Sequence, residues 1–401
     1  MTDRPVGANN GGQEETTGRK VILLLLLAGA AGAAAFGFLG FSPNRILSAK
    51  PIYLWQVTPG VTSAGVALGA ALVVAALAIS SNRWRQVAVL TGATLVFASA
   101  VAGAGAGATA ALATVTSTAA RVSLGGAFWT VALVSALAMT EALRRLNVHL
   151  GLRLAFAAIV AVAVSALAFG GWFDNLSLAR EWANRREAYG AAFGEHLTLV
   201  GTSLGFALII GAPIGIAAAG RPRLSRPIFT VLNLVQTIPS IALFGLLIGP
   251  LTALGDALPW LHDIGLSGIG FVPAVIALTL YGLLPIARST EAGILSVPDA
   301  AIETARGMGM TKLQILAWVS VPLALPVLLA GLRIVTVQLI GLAVVAALIG
   351  AGGFGAFVFL GLGQTATDLV LLGALSAIAI AIVADGLLRL LTQISLRATA
   401  P

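Results

Sequence analysis

Apolar residues along the chain gather into runs of about twenty, long enough to cross ~30 Å of hydrocarbon as α-helices, with short polar breaks between them. Ten such spans are read, at 21–41, 61–80, 87–113, 124–143, 150–171, 196–219, 228–251, 268–287, 323–349 and 368–391. The runs are continuous rather than alternating, which argues against an outer-membrane barrel. The expected fold class is therefore an all-α polytopic membrane protein. Residues 1–20, polar and rich in Gly, Asn and Glu, read as a disordered tail, and 393–401 as a second short tail. Arg19 and Lys20 precede the first run, and small residues at Ala30–Ala35 resemble a signal-peptide cleavage region. An uncleaved anchor serves equally well, and the spans that follow favour it. The run 87–113 is the least defined, because Ala98–Ala113 is low-complexity Ala/Gly; Gly103 and Gly107 there make a small-xxx-small pair suited to close helix packing.

Composition sharpens this picture. Of the 401 residues 58% are hydrophobic and 9% charged, against roughly 25% charged in soluble domains. The net charge of +8 does not point to nucleic acid, because the cations sit singly or in twos and threes between spans, where membrane topology accounts for them. With the N-terminus inside, sixteen cations fall on the cytoplasmic side and six outside, with Arg333 inside a span. That bias predicts an inner-membrane protein with both termini cytoplasmic. Trp55, Trp84, Trp172, Trp260 and Trp318 fall near span ends, as interfacial anchors do. There is no cysteine, so no thiolate nucleophile or disulfide. His149, His196 and His262 are scattered without metal-ligand spacing, and no catalytic constellation or metal site is read.

Two loops are long. Asp174–Glu195, expected outside, interleaves Arg180, Glu181, Arg185, Arg186 and Glu187 with Trp182 and Tyr189; an interfacial helix is the favoured reading over a docking surface. The other, Arg288–Ser320, is expected inside. Ser296-Val-Pro-Asp299 has the form of an N-terminal capping box and predicts a helix from about Val297 to Arg306. Gly307-Met308-Gly309 should break it. Thr311-Lys-Leu-Gln314 is a second capping box, starting a second helix that should end near Pro322. A plain helical loop and a partner-docking pair are both consistent with these signals alone.

Glu303-Thr304-Ala305, Gly309 and Val319-Ser-Val-Pro322 resemble the "EAA loop" of binding-protein-dependent ABC importer permeases, a Glu-Ala-Ala, three residues, Gly, nine residues, Ile-x-Leu-Pro pattern. Here the spacing is met throughout, with Thr304 in place of an Ala and Val319 and Val321 in place of Ile and Leu. The resemblance spans roughly 193–392. Gln236-Thr-Ile-Pro-Ser-Ile-Ala242, Leu280-Tyr-Gly-Leu-Leu-Pro-Ile286, Gly307-Met-Gly-Met310 and Gly350-Ala-Gly-Gly-Phe-Gly355 are similar to permeases for glycine betaine, choline and related osmoprotectants. Those relatives often carry Asn-Thr-Tyr where this chain has Ser289-Thr-Glu291.

By resemblance, 195–392 is a permease core with coupling helices at 296–317. The region 21–172 is an extra N-terminal membrane part, joined to the core by 173–194. The ATPase contact would involve Glu303, Thr304, Ala305, Gly307, Gly309, Thr311 and Pro322. Implied partners are ABC ATPase subunits, an extracytoplasmic substrate-binding protein, the lipid bilayer and a second permease, identical or related.

Other signals were weighed. Gly350–Gly355 satisfies GxGxxG, but it follows an apolar span rather than a strand, so a re-entrant turn at the outer end of the pathway is the reading. No GxxxxGK[ST] occurs; the chain itself is then a transport subunit rather than an enzyme, and ATP and Mg belong to a separate ATPase. Arg333 either snorkels to the interface or faces the pathway; Gln338 either lines the pathway or bonds across helices. Gln236, Pro239, Ser240, Tyr281, Arg333 and Gln338 are the pathway-lining candidates. Pro239, Pro285 and Pro326 should kink their helices. The expected function is ATP-driven import of osmoprotectants. The alternatives are an ABC permease for another small solute, such as an amino acid, and an ion-coupled carrier.

Overall fold

The computed structural model describes residues 10–399, apart from 45–46, 58–59, 114, 116, 118 and 264; the expected outside cation Arg45, the inside cation Arg4 and residues 1–9 of the tail read over 1–20 thus lie outside the described residues. The chain divides into two units, Met1–Asn184 and Arg185–Pro401. The division falls within the segment 173–194 read from sequence as a connection.

The first unit runs α1 (Asn10–Ala35), β1 (Leu39–Ser42), β2 (Lys50–Ile52), α2 (Val61–Ala76), α3 (Asn82–Ala113), β3 (Arg121–Leu124), α4 (Gly126–Arg145), α5 (Leu150–Phe169) and α6 (Ser177–Asn184). The second runs α7 (Arg186–Gly220), α8 (Pro222–Thr237), α9 (Ser240–Ala257), α10 (Trp260–Asp263), α11 (Phe271–Leu295), α12 (Asp299–Gly307), α13 (Lys312–Ile315), α14 (Val321–Ala346), α15 (Phe354–Gly363) and α16 (Thr367–Thr399). Among the described residues nine helical segments are long and apolar enough to cross a membrane. The protein is an α-helical polytopic membrane protein.

Several elements depart from the sequence reading. Helix α1 begins at Asn10, within the stretch read as a tail. The run 61–80 yields only 16 helical residues in α2, ~24 Å at 1.5 Å per residue. The run 228–251 is two helices, because Pro239 drives Ile238 into an extended conformation (φ −71°, ψ 124°) that ends α8. A three-stranded antiparallel sheet, ordered β2-β1-β3, lies at the end of the first unit where α1 and α3 finish and α4 starts, with Leu39 opposite both Ile52 and Leu124.

The first unit is held by close helix approach. Gly69 on α2 and Gly92 on α3 face each other so tightly that a Cβ on either would lie 2.7 Å from the other's carbonyl oxygen. In a bilayer, where apolar burial drives little helix association, such backbone contact is what packs helices. Gly103 seats against Thr62, so the Gly103 end of the predicted small-xxx-small pair serves packing inside the chain. Under the sheet, Phe38, wholly buried, meets Phe128 edge-on at 5.8 Å. Helix α5 buries none of its residues.

The second unit is built around α11, the most enclosed span, with 61% of its apolar window buried. Leu199 of α7, Phe244 of α9, Leu278 and Tyr281 of α11, and Val335, Leu339 and Ile340 of α14 form its core. Helix α13 does not stop near Pro322. It passes through a π-helical turn at Leu316–Ser320 directly into α14, so Lys312–Ile349 is one continuous helical segment of 38 residues. Pro322 is accommodated inside this segment just after the π-turn, where Val321 N–H donates to the Leu316 carbonyl and the regular hydrogen-bond ladder is already offset.

Candidate functional site

The exposed corner between α12 and α13 is made by its sequence. The last turn of α12 closes with Met310 N–H donating to the Ala305 carbonyl at 3.1 Å and Gly309 N–H donating to that of Arg306 at 2.9 Å. This nested pair is a Schellman cap, whose pivot residue must be left-handed. Gly309 supplies it at φ +80°. Thr311 then caps α13: its hydroxyl oxygen accepts from Gln314 N–H at 3.4 Å, and Gln314 Oε1 accepts from Thr311 N–H at 2.8 Å. The box predicted at Ser296–Asp299 does not form. Ser296 instead closes the end of α11, its hydroxyl donating to the Gly293 carbonyl at 2.7 Å, and Pro298 occupies the N-cap of α12 without a side-chain bond. Ala305 is buried, while Glu303, Thr304, Gly307, Met308, Gly309, Thr311, Leu313, Trp318 and Pro322 are exposed. Met308, Leu313 and Trp318 are each more than two-thirds exposed, which gives the corner an apolar surface beside its polar residues.

Four pathway candidates come together at the break between α8 and α9. Gln236 Nε2 donates to the Tyr281 carbonyl at 2.8 Å, and the Tyr281 hydroxyl donates to the Ile238 carbonyl. Pro239 and Ser240 start α9 at this point. The second bond satisfies a carbonyl at the break, and the first satisfies the Tyr281 carbonyl of α11, to which Pro285 has no N–H to donate; together they tie the break to α11, as non-helical backbone at membrane depth requires.

Arg333 and Gln338 lie elsewhere, on α14. Arg333 Nε meets Asp385 Oδ1 of α16 at 2.6 Å, and Asp385 Oδ2 meets Arg389 Nε at 2.7 Å. Arg333 is thus ion-paired and about a third exposed. Gln338 is half-buried on the same helix. At the other end of α11, Glu291 accepts from the Ser225 hydroxyl at 2.6 Å and from Arg288 Nη1 at 3.3 Å, and the Arg288 guanidinium lies 3.6 Å over the Phe229 ring. The residue that departs from the relatives' pattern, Glu291, therefore links α8 to α11.

Beyond α14 the chain turns through Gly350, Gly352 and Gly353, with φ of +79°, +74° and +73°. Gly353 N–H donates to Glu195 Oε2 at 2.8 Å, and His196, wholly buried, lies against Phe354 with ring centroids 5.3 Å apart. Tyr189 hydrogen-bonds Ser376 at 2.8 Å beside the same ring. The GxGxxG string is thus a tight turn between helices. Asp385, Glu291 and Glu195 were not singled out for these partners from sequence. A charge in one apolar span facing an opposite charge in another was the available signal for Asp385.

Residues 211–393 match the family model described as binding-protein-dependent transport system inner membrane component, and residues 18–179 the one described as ABC transporter permease YehY, N-terminal domain. The chain is 42% identical over 194 residues to the osmoprotectant import permease protein OsmW of Salmonella typhimurium, covering 48% of this chain and 85% of that one. It is 37% identical over 194 residues to the choline transport system permease protein OpuBD of Bacillus subtilis, covering 48% of this chain and 79% of the relative. With the glycine betaine/carnitine/choline transport system permease protein OpuCD of Bacillus subtilis it shares 39% identity over 181 residues, covering 45% and 72%. Among solved structures, a chain of the MetNI methionine ABC transporter in an inward-facing conformation is 26% identical, with 54% of this chain and 98% of that chain covered and a TM-score of 0.44.

Proposed function

The chain belongs to the binding-protein-dependent permeases of ABC importers, and on that footing we propose that it carries osmoprotectants, quaternary amines of the glycine betaine and choline kind, across the inner membrane. The substrate class is supported by the relatives named for osmoprotectant, choline, carnitine and glycine betaine transport. A second copy or a related permease completes the pathway, built from residues 196–391. An extracytoplasmic binding protein delivers the substrate, and both termini lie in the cytoplasm by the charge bias of the loops.

The observation that carries the mechanism is the capped corner at Gly309. It offers Glu303, Thr304, Gly307 and Thr311 at an exposed bend, with Ala305 packed beneath. ATPase subunits, holding ATP and Mg, grip this bend and close on nucleotide binding. Because α13 runs without interruption into α14, a displacement of the bend moves the membrane helix with it and switches the pathway between outward and inward access. Aromatic cages are the usual recognition of quaternary ammonium; only 6% of this chain is aromatic, so selectivity rests mainly with the binding protein. The ion-coupled alternative needs a carboxylate free to exchange its cation, whereas Asp385 is held between two guanidiniums.

The test is uptake of labelled glycine betaine and choline by cells carrying Gly309→Asp. Uptake is expected to vanish with the chain still inserted and its amount in the membrane unchanged. Wild-type uptake by this variant overturns the coupling role.

A further inference from the structure

Helix α14 carries its buried residues on one side, among them Val335, Leu339 and Ala343. The other side is uncovered. Ile334 and Val337 are exposed there, and a Cβ on Gly341 would meet nothing within 4 Å. At roughly 100° per residue, Arg333 and Gln338 border this uncovered side, about 140° apart. Gln338 is half-buried, and its amide forms no hydrogen bond among the described residues. Arg333 lies ~18 Å along α14 from Val321, at 1.5 Å per residue. Measured from that end, this is past the middle of a ~30 Å hydrocarbon core.

Charge does not balance at this depth. Asp385 of α16 meets both Arg333, at 2.6 Å, and Arg389, at 2.7 Å, and among the described residues neither guanidinium meets a second carboxylate. Two cations therefore share one anion, and the cluster keeps one positive charge in surplus. The Arg333 and Arg389 side chains are 36% and 48% exposed, against 25% for Asp385, so the surplus lies on the open side of the cluster. Arg389 stands one turn nearer the C-terminal end of α16, but Arg333 is tied to Asp385 at the deeper position. Ionisable groups within membrane spans face a bundle interior or a watered cavity, and there they mark the route of a substrate. An unbonded amide and a surplus guanidinium bordering one uncovered helix side give that side to the pathway rather than to lipid.

Glycine betaine and carnitine carry a carboxylate beside the quaternary ammonium, whereas choline carries the ammonium alone. Guanidinium pairs with carboxylate through charge-assisted hydrogen bonds in a planar fork. We infer that Arg333 receives the carboxylate of zwitterionic substrates as they pass α14. The permease itself then favours betaine and carnitine over choline, after the binding protein has delivered either. This rests on the osmoprotectant reading above, with a second permease closing the far side of the path.

The experiment measures uptake of labelled glycine betaine and of labelled choline over a range of concentrations, by cells holding the whole transporter. Loading of the binding protein sets the apparent KM, and passage through the permease sets the maximal rate. Arg333→Gln leaves Asp385 and Arg389 as a neutral pair, so no charge is stranded. Its maximal rate for glycine betaine should fall about tenfold relative to that for choline, the scale of one hydrogen bond to a charged group, with both KM values unchanged. Arg333→Lys, which keeps the charge, should restore most of the ratio. A ratio that does not fall in Arg333→Gln, including an equal loss of both rates as a purely structural role would give, overturns the inference. Uptake of neither solute by the unmutated transporter overturns the substrate reading itself, and this inference with it.

Discussion

Gly309 carries its conformation without any steric demand from its neighbours: a Cβ there would meet nothing within 4 Å, yet φ is +80°. Substitution therefore acts through the backbone, at about 1–2 kcal/mol for an ordinary residue held left-handed. Gly309→Ala should lower uptake by loosening the cap of α12, and Gly309→Asn, which tolerates that conformation better, should keep more of it. Transport assays normalised to membrane protein level give the order, and Ala at or above Asn contradicts it. Tyr281 is a second residue whose part is local. Its hydroxyl donates to the Ile238 carbonyl and the residue is 5% exposed, so Tyr281→Phe should lower stability by about 1 kcal/mol. Read by thermal unfolding in detergent, that loss should come with unchanged substrate preference in competition assays. A changed preference instead gives Tyr281 a place on the pathway.

At the scale of elements, α14 and α16 are joined by one carboxylate between two guanidiniums. Asp385→Ala should cost about 2–3 kcal/mol, since it leaves Arg333 at membrane depth without its partner. Arg389→Ala should cost less, because Arg389 is about half exposed and Asp385 keeps Arg333. The order of the two melting temperatures checks this. Such a pairing shows which elements the sequence discloses and which it withholds. Long helices are local: the apolar run at 268–287 announces α11 by itself, and Thr311 with Gln314 announces its own cap. The Arg333–Asp385 pair joins residues on different spans and needs the tertiary fold. The sheet was invisible for the same reason, since strands of three or four residues carry too little alternation and Leu39 finds its partner at Leu124. Proline misled in both directions. Pro322 looked like a stop but stands just after a π-turn inside one continuous helical segment, whereas Pro239 looked like a kink but, through Ile238, ends one helix and starts another. Within the candidate site the corner was legible because its glycine and caps act over a few residues. The role of Ser296 was not, because the end of α11 claimed its hydroxyl first.

For the whole molecule, the two-unit division has a direct consequence. The stretch similar to the shorter osmoprotectant permease of Salmonella occupies 48% of this chain and 85% of that relative, and the corner lies wholly in the second unit. A chain beginning at Arg185 should therefore still insert and retain its ATPase in a pull-down, and loss of the ATPase would assign the first unit a part in building the coupling surface. The small sheet bears on how such chains behave when crowded in a membrane. Its β2 edge, facing away from β1, is three residues long and begins Lys50-Pro51, a charge and a residue with no amide hydrogen to lend. Its β3 edge is already met by Leu176 through a bridge at Val122. Both borders are short, and each is interrupted. Along the described strands, neighbouring copies thus meet only short, interrupted borders on which to stitch their sheets together.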